Sequence, residues 1–256
     1  MTEKRLAVFD IDGTLVTMKK TILKSTLAAI RELQEKGVHV AIATGRNYKM
    51  ARAVIDETGI HDYIVCNGSA YYVNDKLVAQ RTMDQDDMRK LTLFTRQIDT
   101  NFLAETADEV YADKLPEPMA EKLMAGCQTF PVLGHGFALN HPFVQGLAVM
   151  SPEQEQSVPE LKHTQFRRFG PEGVDVLPAD GSKARAINEL AGTVGVSRDN
   201  IVAFGDNQND KEMLHSAGIG IAMGHATPDV QAMADWVTSD SESDGIMRGL
   251  QHIGWL

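Results

Sequence analysis

The stretch that decides the fold is Leu6-Ala-Val-Phe-Asp-Ile-Asp-Gly-Thr14, LAVFDIDGT. Four apolar residues run directly into two aspartates separated by one residue, and a glycine follows. A short continuous apolar run bounded by turn residues is what a parallel strand covered on both faces requires. Two carboxylates delivered to one strand end repel each other, and each loses solvation where the site is partly buried. A divalent cation, a shared proton or a reaction that uses both would offset that cost.

The pattern continues outward from this strand. Ile22, Leu23, Leu27, Ile30 and Leu33 recur at helical spacing, and Gly37 stands where a C-terminal cap belongs. VHVAIAT, ending at Thr44, reads as the next strand, Tyr48 to Thr58 as a helix stopped by Gly59, and DYIVCN as a third strand. Such alternation predicts a parallel sheet with helices on its faces. After Asn67 the rhythm changes, and YYV-ND-KLV reads as a hairpin. Between Thr82 and Gly181 come a helix (Asp86 to Ile98) and the short strands FLAET, EVYAD, GLAVM and GVDVLP, a mixture typical of an α+β module. The first rhythm resumes with a helix from Lys183 to Ala191, then IVAFGD, a helix around Lys211 to Ser216, IGIAM and two further helices. The expected architecture is therefore α/β: a doubly wound parallel sheet built from residues 1–81 and 182–256, with residues 82–181 inserted as a separate domain.

Composition narrows the function. Of the 256 residues, 43% are hydrophobic and 23% charged, as in an ordinary globular chain. No run of 18 apolar residues occurs, and MTEKRLAVFD lacks the apolar stretch of a signal peptide, so a cytoplasmic location is expected. Cys66 and Cys127 form no CxxC pair. A formal charge of -10 argues against general affinity for nucleic acid or anionic membrane. The charge is unevenly placed, with 8 Lys and Arg against 16 Asp and Glu between Thr82 and Gly181. A small anionic substrate then has to be held by local donors or by a metal, and a monomer or weak homodimer is expected.

In open parallel sheets ligands gather beyond the carboxyl ends of the strands. Three strands end in polar, glycine-flanked residues there: Asp10-Ile-Asp12-Gly13-Thr14, Thr44-Gly45-Arg46, and Gly205-Asp206-Asn-Gln-Asn209-Asp210. Lys183 opens the helix that restarts the pattern. Should these strands be neighbours, carboxylates, a hydroxyl, an ammonium and a guanidinium converge, an inventory that suits a hard cation and a phosphoryl group. Mg²⁺ takes oxygen ligands and is commonly held by one or two carboxylates, water and substrate phosphate.

DIDGT, Thr44-Gly45-Arg46, Lys183 and GDNQND resemble, in order, the four motifs of the haloacid dehalogenase superfamily of phosphatases. The insertion between the second and third motifs resembles the cap of the Cof-type branch (subclass IIB), as does the closing pattern AG-IGIAMGHA...AD-WVT. The resemblance implies a Rossmann-like core, Mg²⁺ as cofactor and small phosphorylated metabolites, sugar phosphates among them, as substrates. It implies Asp10 as a nucleophile that forms an aspartyl-phosphate, with Asp12 as general acid and then base. Asp206 would ligate the metal with the Asp10 side chain and the Asp12 backbone carbonyl, and Asp210 would ligate it or support it. Lys183 and Thr44 would stabilise the transferring phosphoryl group, and Gly45, Arg46 and Asn209 would help to bind it.

Two other functions fit the same residues. A hexose phosphomutase would need a bisphosphate activator, whereas a phosphatase releases phosphate without one. A regulator that binds a phosphometabolite without turnover is disfavoured by the intact Asp10, Asp12, Lys183 and Asp206. Gly218-Ile-Gly220-Ile-Ala-Met-Gly224 has the wrong spacing for a dinucleotide fingerprint, and its glycines precede and interrupt a strand. Asn67-Gly68 reads equally as a plain turn or as a substrate contact. The eight histidines form no HExxH pair, and the twelve methionines read as core filling.

Overall fold

A computed structural model describes residues 3–114, 130–168, 170–171 and 173–256. Cys127 lies outside the described residues, and Cys66 is buried. The chain divides into two compact units. One comprises Met1–Gly45, Arg52–Val78 and Ser182–Leu256, and the other Arg46–Ala51 and Ala79–Gly181.

The first unit is built on β1 (Leu6–Phe9), β2 (His39–Ala43), β3 (Asp62–Val65), β4 (Ala70–Val73), β5 (Lys76–Gln80), β12 (Ile201–Gly205), β13 (Ile219–Ala222) and β14 (Trp236–Val237). They form one sheet in the order β14-β13-β12-β1-β2-β3-β4-β5. The pairings from β14 through to β3 are parallel, and β3 pairs β4 antiparallel. Helix α1 (Lys24–Glu35) carries the chain from β1 towards β3, and helix α7 (Lys211–Ser216) carries it from β12 the other way. Right-handed crossovers in opposite directions place those two helices on opposite faces, so the sheet is doubly wound. The order reverses between β1 and β12, which pair in register with Phe9 opposite Phe204. The two rings stack at 5.0 Å.

The Asn74-Asp75 turn of the β4–β5 hairpin has φ of 51° and 61°, the left-handed pair that a tight two-residue hairpin requires. Helix α2 (Tyr48–Thr58) ends at Gly59, and helix α6 (Lys183–Val194) ends at the left-handed Gly195. Helix α8 (Pro228–Gln231) precedes β14, and α9 (Gly245–His252) packs against α1.

The second unit has a six-stranded sheet of β6 (Phe102–Glu105), β7 (Val110–Ala112), β8 (Val132–Leu133), β9 (Gln145–Val149), β10 (Thr164–Arg168) and β11 (Gly173–Pro178). Their order is β10-β11-β9-β6-β7-β8. All pairings are antiparallel except β7 with β8. Helix α3 (Gln85–Gln97), capped by Asp84, buries Met88 and Leu91 against Phe102, Phe143, Val174 and Val176. The short helices α4 (Phe137–Asn140) and α5 (Pro152–Gln156) complete the unit. On the other sheet face Leu103, Val110, Ala112 and Leu147 pack around Met50, which explains why residues 46–51 group with this unit. Tyr48 N donates to Ala107 O at 2.7 Å, and Lys49 pairs with Glu109 at 2.8 Å.

Candidate active site

β1 delivers Asp10 to the carboxyl edge of the sheet, and its backbone N–H donates to Phe204 O at 3.0 Å, so β12 is held alongside. Two residues beyond Phe204, Asp206 therefore arrives beside Asp10. The turn after β1 is tight: Leu15 N donates to Asp10 O, and Gly13 N to Val16 O. Gly13 has φ of +86°, and a Cβ there would lie 2.3 Å from the Asp206 carboxylate. No side chain fits at that position without moving Asp206, which accounts for the glycine in DIDGT.

Lys183 is the first residue of α6, a helix N-terminus, where the macrodipole disfavours a cation. The position is offset by two carboxylates: Nζ donates to Asp10 Oδ1 at 2.6 Å and to Asp210 Oδ1 at 2.7 Å, and the ammonium side chain is fully buried. Burial alone would lower the lysine pKa. The charges of Asp10 and Asp210 overcome that and hold it above the ordinary range. Burial raises the pKa of Asp10, with Lys183 opposing and Asp210 and Asp206 adding to the rise.

Asp210 makes two further hydrogen bonds, its Oδ2 accepting the backbone N–H groups of Asp206 and Asn207 at 3.0 Å each. Asp206 Oδ1 accepts Thr14 Oγ1 at 2.9 Å, and its Oδ2 lies 3.5 Å from His225 Nε2. Burial, reinforced by Asp210, pushes the Asp206 carboxyl up to about 6.

One oxygen from each of Asp10, Asp206 and Asp210 lies within 4.8 Å of the others, close enough for a single ion. Three carboxylates against one ammonium leave a formal charge of -2, supplied by hard oxygen donors. A hard divalent cation fits both the charge and the donor type.

The remaining expected residues fall in three places. The Asp12 carboxylate is 45% exposed, beyond the buried cluster, and sits 3.2 Å from Lys20 Nζ. Thr44 is buried at the end of β2, where its N–H donates to Ile64 O and its carbonyl accepts Asn67 N–H. Gly45 abuts the Asn67 carboxamide, which a Cβ would approach to 3.2 Å. Asn209 Nδ2 donates to Asn67 Oδ1 at 3.0 Å. Arg46 groups with the second unit, where its Nη1 donates to Met50 O at 3.0 Å. Asp10, Asp206, Asp210 and Lys183 form one cluster in the first unit. Thr14, Asn67 and His225 join the surroundings of this cluster. For Thr14 the signal was its place in DIDGT; a single histidine in AMGHA carries none.

A sequence profile of the haloacid dehalogenase-like hydrolases matches residues 7–250. The chain belongs to this family. As a member, this hydrolase is similar to the 5-amino-6-(5-phospho-D-ribitylamino)uracil phosphatase YcsE of Bacillus subtilis (strain 168), with 27% identity covering 97% of this chain and 95% of the relative. It is also similar to the HMP-PP phosphatase of Serratia proteamaculans (strain 568), with 29% identity over 98% and 95% of the two chains. Among solved structures, the subclass IIB sugar phosphatase BT4131 superposes with a TM-score of 0.89 at 28% identity, covering 98% of this hydrolase and 100% of that chain. Family membership makes the fold a Rossmann-like core with a cap.

Proposed function

We propose that this phosphoric monoester hydrolase uses Mg²⁺ and an aspartyl-phosphate on Asp10 to release phosphate from small polyhydroxylated metabolites, sugar phosphates foremost. The observation that carries the reading is the buried Lys183 bridging Asp10 and Asp210, with Asp206 alongside, at the switch point of the sheet. A buried three-carboxylate site with one ammonium is costly unless a cation and a phosphoryl group complete it.

Asp10 and Asp206, with the Asp12 backbone carbonyl, would hold the cation. When bound it would offset the carboxylate repulsion and polarise the phosphoryl oxygens. Asp210 already accepts three hydrogen bonds within the protein, so we assign it to fixing Lys183 and the Asp206 backbone. Lys183 opposes the rise that burial imposes on the Asp10 carboxyl and orients it, and its ammonium faces the charge that develops on the phosphoryl group.

The Asp10 carboxylate oxygen then attacks phosphorus as the bond to the leaving oxygen breaks, and Asp12 gives that oxygen its proton. Asp12, now a carboxylate, takes a proton from water as the water oxygen attacks phosphorus. The bond to Asp10 breaks, phosphate leaves, and both carboxyl groups return to their starting states. Thr44, Gly45 and Asn209 would line the phosphate.

The polyol class is supported by relatives named for a phosphoribityl compound and for sugar phosphate. The inserted residues, as a cap, would select the part of the substrate that is not phosphate.

The test is phosphate release from a panel of phosphate monoesters by purified protein, with Mg²⁺ and after dialysis against EDTA. The expected result is turnover of one or more sugar or polyol phosphates without a bisphosphate activator, lost in EDTA and restored by Mg²⁺. Full activity in excess EDTA refutes the metal, and a requirement for a bisphosphate refutes hydrolysis in favour of phosphoryl exchange.

A further inference from the structure

The turn after β3 has three consecutive residues on the left-handed side of backbone space: Cys66 and Asn67 at φ 52° and Gly68 at φ 93°. Cysteine rarely adopts this conformation, and asparagine tolerates it better than most residues. The surroundings over-determine the turn. A Cβ on Gly68 would lie 2.2 Å from Ser182 O and 3.1 Å from Lys183 N, so the turn is pressed against the start of α6. Arg185 Nη2 donates to Gly68 O at 3.1 Å. Asn67 N donates to Thr44 O at 3.0 Å, and the Asn67 carboxamide, 1% exposed, accepts from Asn209 at 3.0 Å. Three residues thus touch the ends of β2 and α6 and the loop after β12, all of which carry proposed site residues. Strain of this kind, held in place by neighbours, gathers at functional sites.

We propose that Asn67 is a positioning residue for phosphate: by accepting one hydrogen of the Asn209 carboxamide, it fixes which way that amide faces and leaves the second N–H for a phosphoryl oxygen. The inference rests on the phosphatase reading above, which gives Asn209 its contact with phosphate. An asparagine amide is a two-ended group, with its oxygen and nitrogen nearly equal in shape, so an unheld Asn209 would present its oxygen to an anion as readily as its nitrogen. A buried acceptor on one side removes that choice. Glycine at 67 would keep the left-handed backbone and remove only the carboxamide.

The experiment is a double-mutant cycle on the full chain in Mg²⁺: wild type, Asn67→Gly, Asn209→Ala and the double variant. The affinity for inorganic phosphate is read by ³¹P NMR titration, kcat and KM with p-nitrophenyl phosphate, and the melting midpoint alongside. Asn67→Gly is expected to weaken phosphate about tenfold, as loss of one hydrogen bond to an anion does. Asn209→Ala should do the same, with the double variant no weaker than the poorer single one. Additive losses, or wild-type phosphate affinity in a folded Asn67→Gly protein, overturn the proposal. Should Asn67→Gly fail to fold, Asn67→Ser, whose hydroxyl is one bond too short, takes its place in the cycle. Non-additive phosphate affinities across the cycle, with a wild-type protein that hydrolyses nothing, support the positioning role while refuting the hydrolase reading.

Discussion

Replacing Lys183 by methionine tests whether the buried cluster is held by that one cation. The side chains are of similar length, so the change removes the charge and leaves little cavity. Asp10 and Asp210 would lose hydrogen bonds of 2.6 and 2.7 Å from a fully buried ammonium. Asp210 keeps its two backbone donors, whereas Asp10 loses the partner that opposes its burial. Breaking a buried pair by removing one partner costs about 3–5 kcal/mol, a large share of the roughly 5–15 kcal/mol that keeps a domain folded. With a urea slope of about 2 kcal/mol/M, the midpoint should fall by about 1.5–2.5 M. Trp236 and Trp255 both belong to the first unit, so their fluorescence follows its unfolding at pH 8 without added metal. A Lys183→Met protein with the wild-type midpoint would show that the carboxylates neither need the ammonium nor repel one another appreciably, and the charge argument for a cation would fail with it.

Asp10→Asn should retain the wild-type far-UV dichroism while phosphate release falls below about one thousandth, since a carboxamide is a poor nucleophile. Asp12→Ala should slow phosphoenzyme formation at least about tenfold more for a sugar phosphate than for p-nitrophenyl phosphate, because only the alkoxide needs a proton. Rapid-quench single turnovers compare the two, and equal losses exclude Asp12 as the acid. Glu105 lies buried in the second unit with a hydrogen bond from Gln145 at 3.0 Å, and burial raises its pKa from 4.5 to about 7. A carboxyl raised in the folded state is protonated there first, so wild-type stability should fall as pH rises from about 4.5 to 7 and stay low above it. Glu105→Gln should flatten that part of a melting-against-pH curve and be more stable at pH 8 by at most about 3 kcal/mol; an unchanged slope would refute it.

Asp10 and Asp206 were legible because each stands immediately after an apolar run. LAVF ends in Asp10, IVAFG ends in Asp206, and the observed strands stop there too. Helix α2 matches the expected Tyr48 to Thr58, and α3 lies within one residue of its expected span. The strand TQFRR, by contrast, carries no clear alternation. It is β10, at the edge of its sheet, and Arg168 bonds to Glu155 while its other donors reach the carbonyls of Met150 and Gly170. Charged side chains on an edge strand blunt further pairing and erase the apolar signal that sequence reading depends on. β14 is two residues long and too short for periodicity to register. The grouping of Arg46–Ala51 with the inserted residues depends on Met50 packing, and Asn67 meets Asn209 across 142 residues. Neither contact has a local correlate.

The adjacency of β1 and β12 also bears on the order in which a ribosome makes this protein. Asp206 follows Thr14 by 192 residues, which at about 5–20 residues per second is about 10–40 s of synthesis. Through that interval β1 can pair with β2, but its other edge, destined for the centre of the sheet, waits for a strand not yet translated. The inserted residues emerge meanwhile and possess their own core, so they can fold first. Nascent chains of this hydrolase therefore carry an apolar, unpaired strand edge until β12 (Ile201–Gly205) of the 256 residues is made, and it is during translation, more than afterwards, that they would need protection from joining the wrong neighbour.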